Sequence, residues 1–208
     1  DIPEGPAIIL ANEFFDALPV HQAVKTETGW HERVIALDDD IFAYDVAREP
    51  IPRFEVLLPP QVRAAPVGTI FEWRPDPETM TIARRLRDQG GAALIIDYGH
   101  VRSDAGDPFQ AIARHGFANP LRRAGEADVT AHVDFEALAR AAQDIGARTH
   151  GPVEQGVFLT RLGIETRAQT LMKNASEDGA QAIAAALRRL TAGGKENMGS
   201  LFKVLGIS

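Results

Sequence analysis

Cysteine is absent from all 208 residues, which removes disulfides, thiolate nucleophiles, cysteine-ligated zinc and iron–sulfur clusters together and suits a reducing compartment. Long apolar runs are absent too. The longest, residues 7–11 and 92–96, fall far short of the ~20 residues that a membrane helix needs, so a soluble chain is predicted. Positive charge is in deficit, with 22 Lys+Arg against 29 Asp+Glu for a net charge of −7. No local basic patch offsets this deficit with a track for phosphate backbones, so the partner is expected to be a protein or a small molecule. The six His residues show no metal-ligand spacing, and the nucleophile-elbow, P-loop and dinucleotide glycine motifs are all missing. No charged segment followed by an apolar stretch marks a signal peptide. The sequence starts at Asp1 rather than Met, which suggests a piece of something longer.

What remains is ordinary globular material, 45% hydrophobic and 25% charged, long enough for one to two domains. Residues 7–11 and 92–96 are entered through Gly5-Pro6 and Gly90-Gly91 and stop abruptly at polar residues, the pattern of two buried parallel strands. Between them, residues 20–26 and 30–37 flank a Glu27-Thr28-Gly29 turn and read as a hairpin. A stretch broken by Pro50, Pro52, Pro59, Pro60 and Pro66 follows, so residues 20–70 are expected to form an insertion or edge subdomain. Asp76-Pro77 opens a helix with Met80, Ala83 and Leu86 on one face, and the strand–helix–strand order predicts right-handed α/β winding. Further on, Asp134 is expected to cap a helix with Phe135, Leu138, Ala139, Ala142 and Ile145 inward, ended by Gly146. Ser176 is expected to cap another, with a stripe of Ile183, Ala186, Leu187 and Leu190, and residues 201–207 to form a closing strand.

Ligands of open α/β sheets bind beyond the carboxyl ends of the strands, where three polar clusters fall. In Asn12-Glu13-Phe14-Phe15-Asp16, the two acids are three apart and would share a face if the segment were helical, either as a site or merely as acids enriching a first helical turn. Asp97-Tyr98-Gly99-His100 gathers an acid, a phenol and an imidazole, suited to a general base or ligand hydrogen bond, or equally to a loop cap with a solvated His. Asp128-Val129-Thr130-Ala131-His132-Val133-Asp134 alternates, putting Asp128, Thr130 and His132 on one strand face that is wet or functional.

These blocks, with Gly29-Trp30-His31-Glu32-Arg33, Gln155-Gly156-Val157-Phe158-Leu159 and Met198-Gly199-Ser200-Leu201-Phe202-Lys203, resemble the MidA-type family over nearly the whole chain. The resemblance implies an S-adenosylmethionine-dependent methyltransferase with a Rossmann-like class I sheet. Only the carboxyl-terminal half of that sheet is expected here, with the inserted hairpin region and additional C-terminal helices. Residues 1–208 would then be one methyltransferase-like domain lacking its N-terminal cofactor-binding half, since neither a glycine-rich turn after a first strand nor an acid ending a second is found. The implied reaction is methylation of a protein arginine, on a respiratory complex I subunit or similar, in a bacterial cytoplasm or a mitochondrial matrix. Glu13 and Asp16 are the implied catalytic pair and Asn12 the implied cofactor contact. Phe14, Phe15, Asp97, Tyr98, His100 and His132 are candidates for substrate binding, and no metal is expected. A carboxylate pair can grip a planar guanidinium bidentately, leaving one nitrogen aimed at a methyl group. The alternatives are a non-catalytic assembly factor and a small-molecule methyltransferase.

Overall fold

The computed structural model describes residues 3–113, 116–122, 125–194 and 197–208. The first half runs β1 (Ala7–Asn12), β2 (His21–Thr26), β3 (Gly29–Asp38), β4 (Ile41–Pro50), α1 (Phe54–Leu57), α2 (Pro60–Arg63), β5 (Ile70–Trp73), α3 (Pro77–Gln89) and β6 (Gly91–His100). The second runs β7 (Phe109–Ala113), β8 (Gly116–Ala118), β9 (Asp128–Ala131), β10 (Val133–Asp134), α4 (Phe135–Asp144), β11 (Thr149–Glu154), α5 (Gln155–Arg161), α6 (Ile164–Met172), α7 (Glu177–Thr191), α8 (Met198–Leu201) and β12 (Phe202–Ile207). Two units result. One comprises Asp1–Phe15, Asp76–Val101 and Val133–Ser208, the other Asp16–Pro75 and Arg102–His132.

The first unit is built on a sheet in the order β1-β6-β12-β11, with β10 also on β6. As the two apolar runs predict, β1 and β6 are parallel, from Ala7↔Gly91 to Asn12↔Ile96. The closing strand β12 runs antiparallel to β6, with Phe202↔Tyr98 and Ile207↔Ala93. Ile95, Leu205, Val204 and Ile207 are buried with Phe135, Leu138 and Ala142 of α4 and Ile82, Ala83 and Leu86 of α3.

Several sequence expectations need correction. Strand β1 is not buried on both faces, because Ile8 is 86% and Leu10 72% exposed. On α3 the buried face is Thr79, Ile82, Ala83 and Leu86, with Met80 exposed. Asp76 stands at the N-cap without a side-chain capping bond. Asp134 does cap α4, accepting from the Ala137 N–H at 3.0 Å, but Ala141 rather than Ala139 or Ile145 completes the buried face. Ser176 caps α7 through the Gly179 N–H at 3.2 Å, although no residue of α7 is fully buried. The alternating run 128–134 divides, β9 falling in the second unit and β10 in the first.

In the second unit the expected hairpin forms, with β2 and β3 antiparallel down to Thr26↔Gly29. Strands β4 and β5 extend it to a sheet in the order β4-β3-β2-β5. Its core is Ala23, Trp30, Phe54, Leu58, Val62 and Phe71. The proline-broken stretch thus contributes core through the short helices α1 and α2, which supply Phe54 and Val62. Strands β7, β8 and β9 make a small separate sheet.

A polar network crosses this second unit. The Gln22 amide donates to Glu72 Oε2 at 2.9 Å and Asp107 Oδ1 at 2.8 Å. Arg33 Nη1 donates to Gln22 Oε1 at 2.9 Å and Asp107 Oδ2 at 2.7 Å. Burial, partly offset by the Gln22 hydrogen bond and Arg74, raises the Glu72 pKa from 4.5 to about 7.

Two outcomes are expected. Below pH 4.5 Glu72 is protonated whether the chain is folded or not; as pH rises to about 7, the unfolded chain releases a proton that the folded one keeps, so stability falls. Urea midpoints across that window should show this slope, and Glu72→Gln should remove Glu72's contribution to it. Separately, a Cβ on Gly99 would lie 2.0 Å from the Val133 carbonyl oxygen, whereas Gly106 faces open space. Gly99→Ala should cost ~3 kcal/mol in urea unfolding and Gly106→Ala no more than ~0.5 kcal/mol.

Candidate functional site

Strands β1 and β6 part after Asn12↔Ile96. Strand β6 goes on to His100, where β10 joins it in parallel through Val133↔Gly99 and Asp134↔His100. At the parting point the Glu13 N–H still donates to the Ile96 carbonyl at 3.0 Å. Glu13 itself is left-handed, with φ of 47°, a conformation that costs a non-glycine residue ~1 kcal/mol or more and that collects at functional sites. The chain leaves the sheet there.

Asp97 fastens the departing segment. Its Oδ2 accepts from the Phe15 N–H at 3.1 Å and its Oδ1 from the Tyr98 N–H at 2.9 Å, and it has no exposed surface. A buried carboxylate needs such donors, because an unpaired one is expelled or neutralised. Phe15 is buried, and the exposed Phe14 ring stands edge-on to it with centroids 5.3 Å apart. Asn12 and Glu13 are exposed beside them, the Asn12 amide donating to Glu13 Oε1 at 3.2 Å. Tyr98 is half-buried against Phe202, centroids 5.5 Å apart. His100 Nε2 lies 3.9 Å from Asp134 Oδ2, whose other oxygen caps α4.

The structure therefore gathers Asn12, Glu13, Phe14, Phe15, Asp97, Tyr98 and His100 at one end of the first unit's sheet. Asp16 and His132 belong to the second unit. There Asp16 is buried, its carbonyl accepting from the Ala131 N–H at 3.0 Å, and His132 is half-buried. Residues 13–16 are bend and turn rather than helix, so the spacing of three gives Glu13 and Asp16 no common helical face. Sequence reasoning missed the β10 pairing and the structural duty of Asp97. Gly99 was the available signal, since only glycine lets β10 come so close.

Beside β1 lies a cleft of 1030 Å³, lined by Leu10, Asn12 and Phe14 and by Thr81, Arg85 and Gln89 of α3. Arg85 Nη2 donates to the carbonyls of Gly5, at 2.6 Å, and Pro3, tying the segment before β1 to α3.

Residues 1–153 match a family model described as "Putative S-adenosyl-L-methionine-dependent methyltransferase". The chain is 36% identical over 216 aligned residues to the protein arginine methyltransferase NDUFAF7 homolog, mitochondrial, of Drosophila melanogaster, covering 100% of this chain and 48% of that protein. It is 38% identical to the Mus musculus protein arginine methyltransferase NDUFAF7, mitochondrial (87% and 41% covered), and 34% identical to that of Homo sapiens (85% and 40%). A solved COG1565 superfamily member from Burkholderia thailandensis, bound to S-adenosyl-homocysteine, superposes with a TM-score of 0.81 at 28% identity, covering 100% of this chain and 55% of that one. The chain spans about half the length of the relatives it matches. Among the described residues, no helix is long and apolar enough to cross a membrane.

If Asp97 carries the turn, Asp97→Ala leaves the buried Phe15 amide unsatisfied and should cost ~2 kcal/mol in urea unfolding. Asp104→Ala, whose carboxylate accepts from the Ala105 N–H on an exposed loop, should cost no more than ~0.5 kcal/mol.

Proposed function

The chain belongs to the S-adenosyl-L-methionine-dependent methyltransferase family and has a class I methyltransferase fold, and on that premise we propose that the turn leaving β1 is where methyl donor and acceptor meet, the acceptor being an arginine on a partner protein. The observation that carries this reading is the exposed, left-handed Glu13 at the carboxyl end of β1, set on a turn that a buried carboxylate locks.

When bound, S-adenosylmethionine supplies a methyl group on a positively charged sulfonium, transferred by in-line displacement. Orientation of the incoming nitrogen then matters more than a strong base. Glu13 orients the guanidinium by accepting its N–H donors, and Asn12 presents an amide to the cofactor. Phe14 covers the guanidinium face and keeps water out, as exposed aromatic rings can do for a planar cation. Tyr98 and His100 line the acceptor side. The full grip by two carboxylates is not part of this reading, because Asp16 is 5% exposed and serves as a buried turn residue.

The donor set here fits the methionine and acceptor end of such a ligand, and no described residue offers a glycine-rich cradle for its adenosine. We therefore take residues 1–208 as the carboxyl-terminal half of a methyltransferase domain, with residues 20–70 as an insertion. The bare face of β1 and the cleft beside α3 would receive the half that carries the rest of the cofactor site. A respiratory complex I subunit is the acceptor suggested by family resemblance, in a mitochondrial matrix or, for a bacterial protein, its cytoplasm.

The test uses the natural full-length protein. Calorimetric titration with S-adenosyl-homocysteine should give one site near micromolar, or about −8 kcal/mol. Glu13→Gln should keep that binding and lower arginine methylation about 100-fold. Cofactor binding with metabolite turnover but no protein labelling would move the acceptor to a small molecule, and no cofactor binding would favour a non-catalytic assembly factor.

A further inference from the structure

One segment of the second unit is held in place by a group that can change its charge. Residues 102–107 lie between β6 and β7 and carry no helix or strand. They are fixed to the rest of the unit at Ser103, whose carbonyl accepts from the Gln61 amide at 2.6 Å, and at Gly106, whose N–H donates to the Ile70 carbonyl at 2.9 Å. The remaining anchor is Asp107, which accepts from Gln22 and Arg33.

That anchor is shared. The Gln22 side chain has a single NH2 group, and both of its hydrogens go to carboxylates, Glu72 Oε2 at 2.9 Å and Asp107 Oδ1 at 2.8 Å. Oxygens that share one amide nitrogen stand about 5 Å apart, close enough for two carboxylates to resist ionising together. Positive charge comes from Arg33 on β3, whose Nη1 donates to Asp107 Oδ2 at 2.7 Å and Gln22 Oε1 at 2.9 Å, and from Arg74, which favours ionised Glu72. Tyr44 on β4 closes the surround, its ring centroid 3.5 Å from the Arg33 guanidinium; burial pushes its phenol up, so it adds no charge near neutral pH. Burial, with Asp107 adding to it, is what carries the Glu72 pKa to about 7. The two acids differ in what they can do about it. Glu72 is half-buried within β5, whereas Asp107 is exposed on irregular chain.

We propose that Gln22, Glu72, Arg33 and Asp107 form a proton-operated latch on residues 102–107: with a proton on Glu72 the segment is held against β2 and β5, and when that proton leaves, Asp107 swings into solvent and the segment opens. Asp107 is the member that moves, because ladder pairing keeps Glu72 opposite Gln22. The direction of the pH effect follows from linkage. The closed latch keeps the Glu72 proton up to about pH 7, whereas a carboxyl exposed by opening releases it near 4.5. Opening therefore becomes more favourable as pH rises across that interval and levels off above it. The methyltransferase reading is not needed for this device.

The measurement is amide hydrogen exchange of Gly106 in the natural full-length protein from pH 5 to pH 8, corrected for the intrinsic pH dependence of exchange. Protection should fall by up to about tenfold per pH unit between pH 5 and pH 7 and level off above that. The opening should be local, so urea below the unfolding transition should leave Gly106 unchanged while it quickens exchange in the β2–β3 pairing. Glu72→Gln, which keeps an acceptor for Gln22 but cannot ionise, should hold Gly106 protected at pH 8. Asp107→Ala should instead give fast exchange at both ends of the range. Wild-type protection that is constant from pH 5 to pH 8, a fall that persists in Glu72→Gln, Asp107→Ala that stays protected at pH 5, or a Gly106 amide that opens only with urea-sensitive unfolding would each overturn the proposal.

Discussion

The carboxylate of Asp97 is the interaction on which the candidate site depends. It is buried and ionisable, so it must be satisfied where it stands, and its two oxygens take the amides of Phe15 and Tyr98. The first of these bonds reaches 82 residues back along the chain. One group thereby fixes the end of β6 and the turn that leaves β1. The energy cost of a left-handed Glu13 is small beside that of orphaning such a carboxylate, so the turn persists and Glu13 stays at the surface. Position is what this candidate site offers the proposed transfer, a reaction whose catalysis is chiefly orientation.

The surroundings follow a similar logic. Gly99 admits β10 against β6 because a Cβ would collide with the Val133 carbonyl, and the same pairing brings Asp134 opposite His100. Asp134 then caps α4, so one short strand links the sheet end to a helix start. Strand β1 has a different status. It is paired on β6 yet leaves Ile8 and Leu10 bare, a surface that an α/β sheet of this class keeps covered. In the second unit, Arg33 and Asp107 play the organising part that Asp97 plays in the first, joining the hairpin to the later segment through Gln22, while burial raises the proton affinity of the neighbouring Glu72.

Much of this was legible in the residues. Apolar runs entered through glycine and ended by polar residues marked β1 and β6, and Asp134 and Ser176 marked helix starts that the structure confirms. The Glu27-Thr28-Gly29 turn marked the β2–β3 hairpin. Periodicity alone misjudged Met80 and Ala139, because which side of a helix is buried depends on partners that lie far off in sequence. The supposed helical face of Glu13 and Asp16 failed for a local reason, since a left-handed residue ends any helix before it starts. Strand β10 is two residues long and has no pattern of its own; only its partner at Gly99 makes it a strand. The role of Asp97 was hidden because an acid after an apolar strand reads equally as a loop cap, a base or, as found here, a clamp for distant backbone.

Amide hydrogen exchange on the natural full-length protein, with and without S-adenosyl-homocysteine, tests most directly whether the ends of β1 and β6 form the ligand site. The account expects added protection concentrated at residues 12–15 and 97–100, with little change along β3 and β4. Saturating ligand that protects other segments and leaves those two unchanged would contradict it.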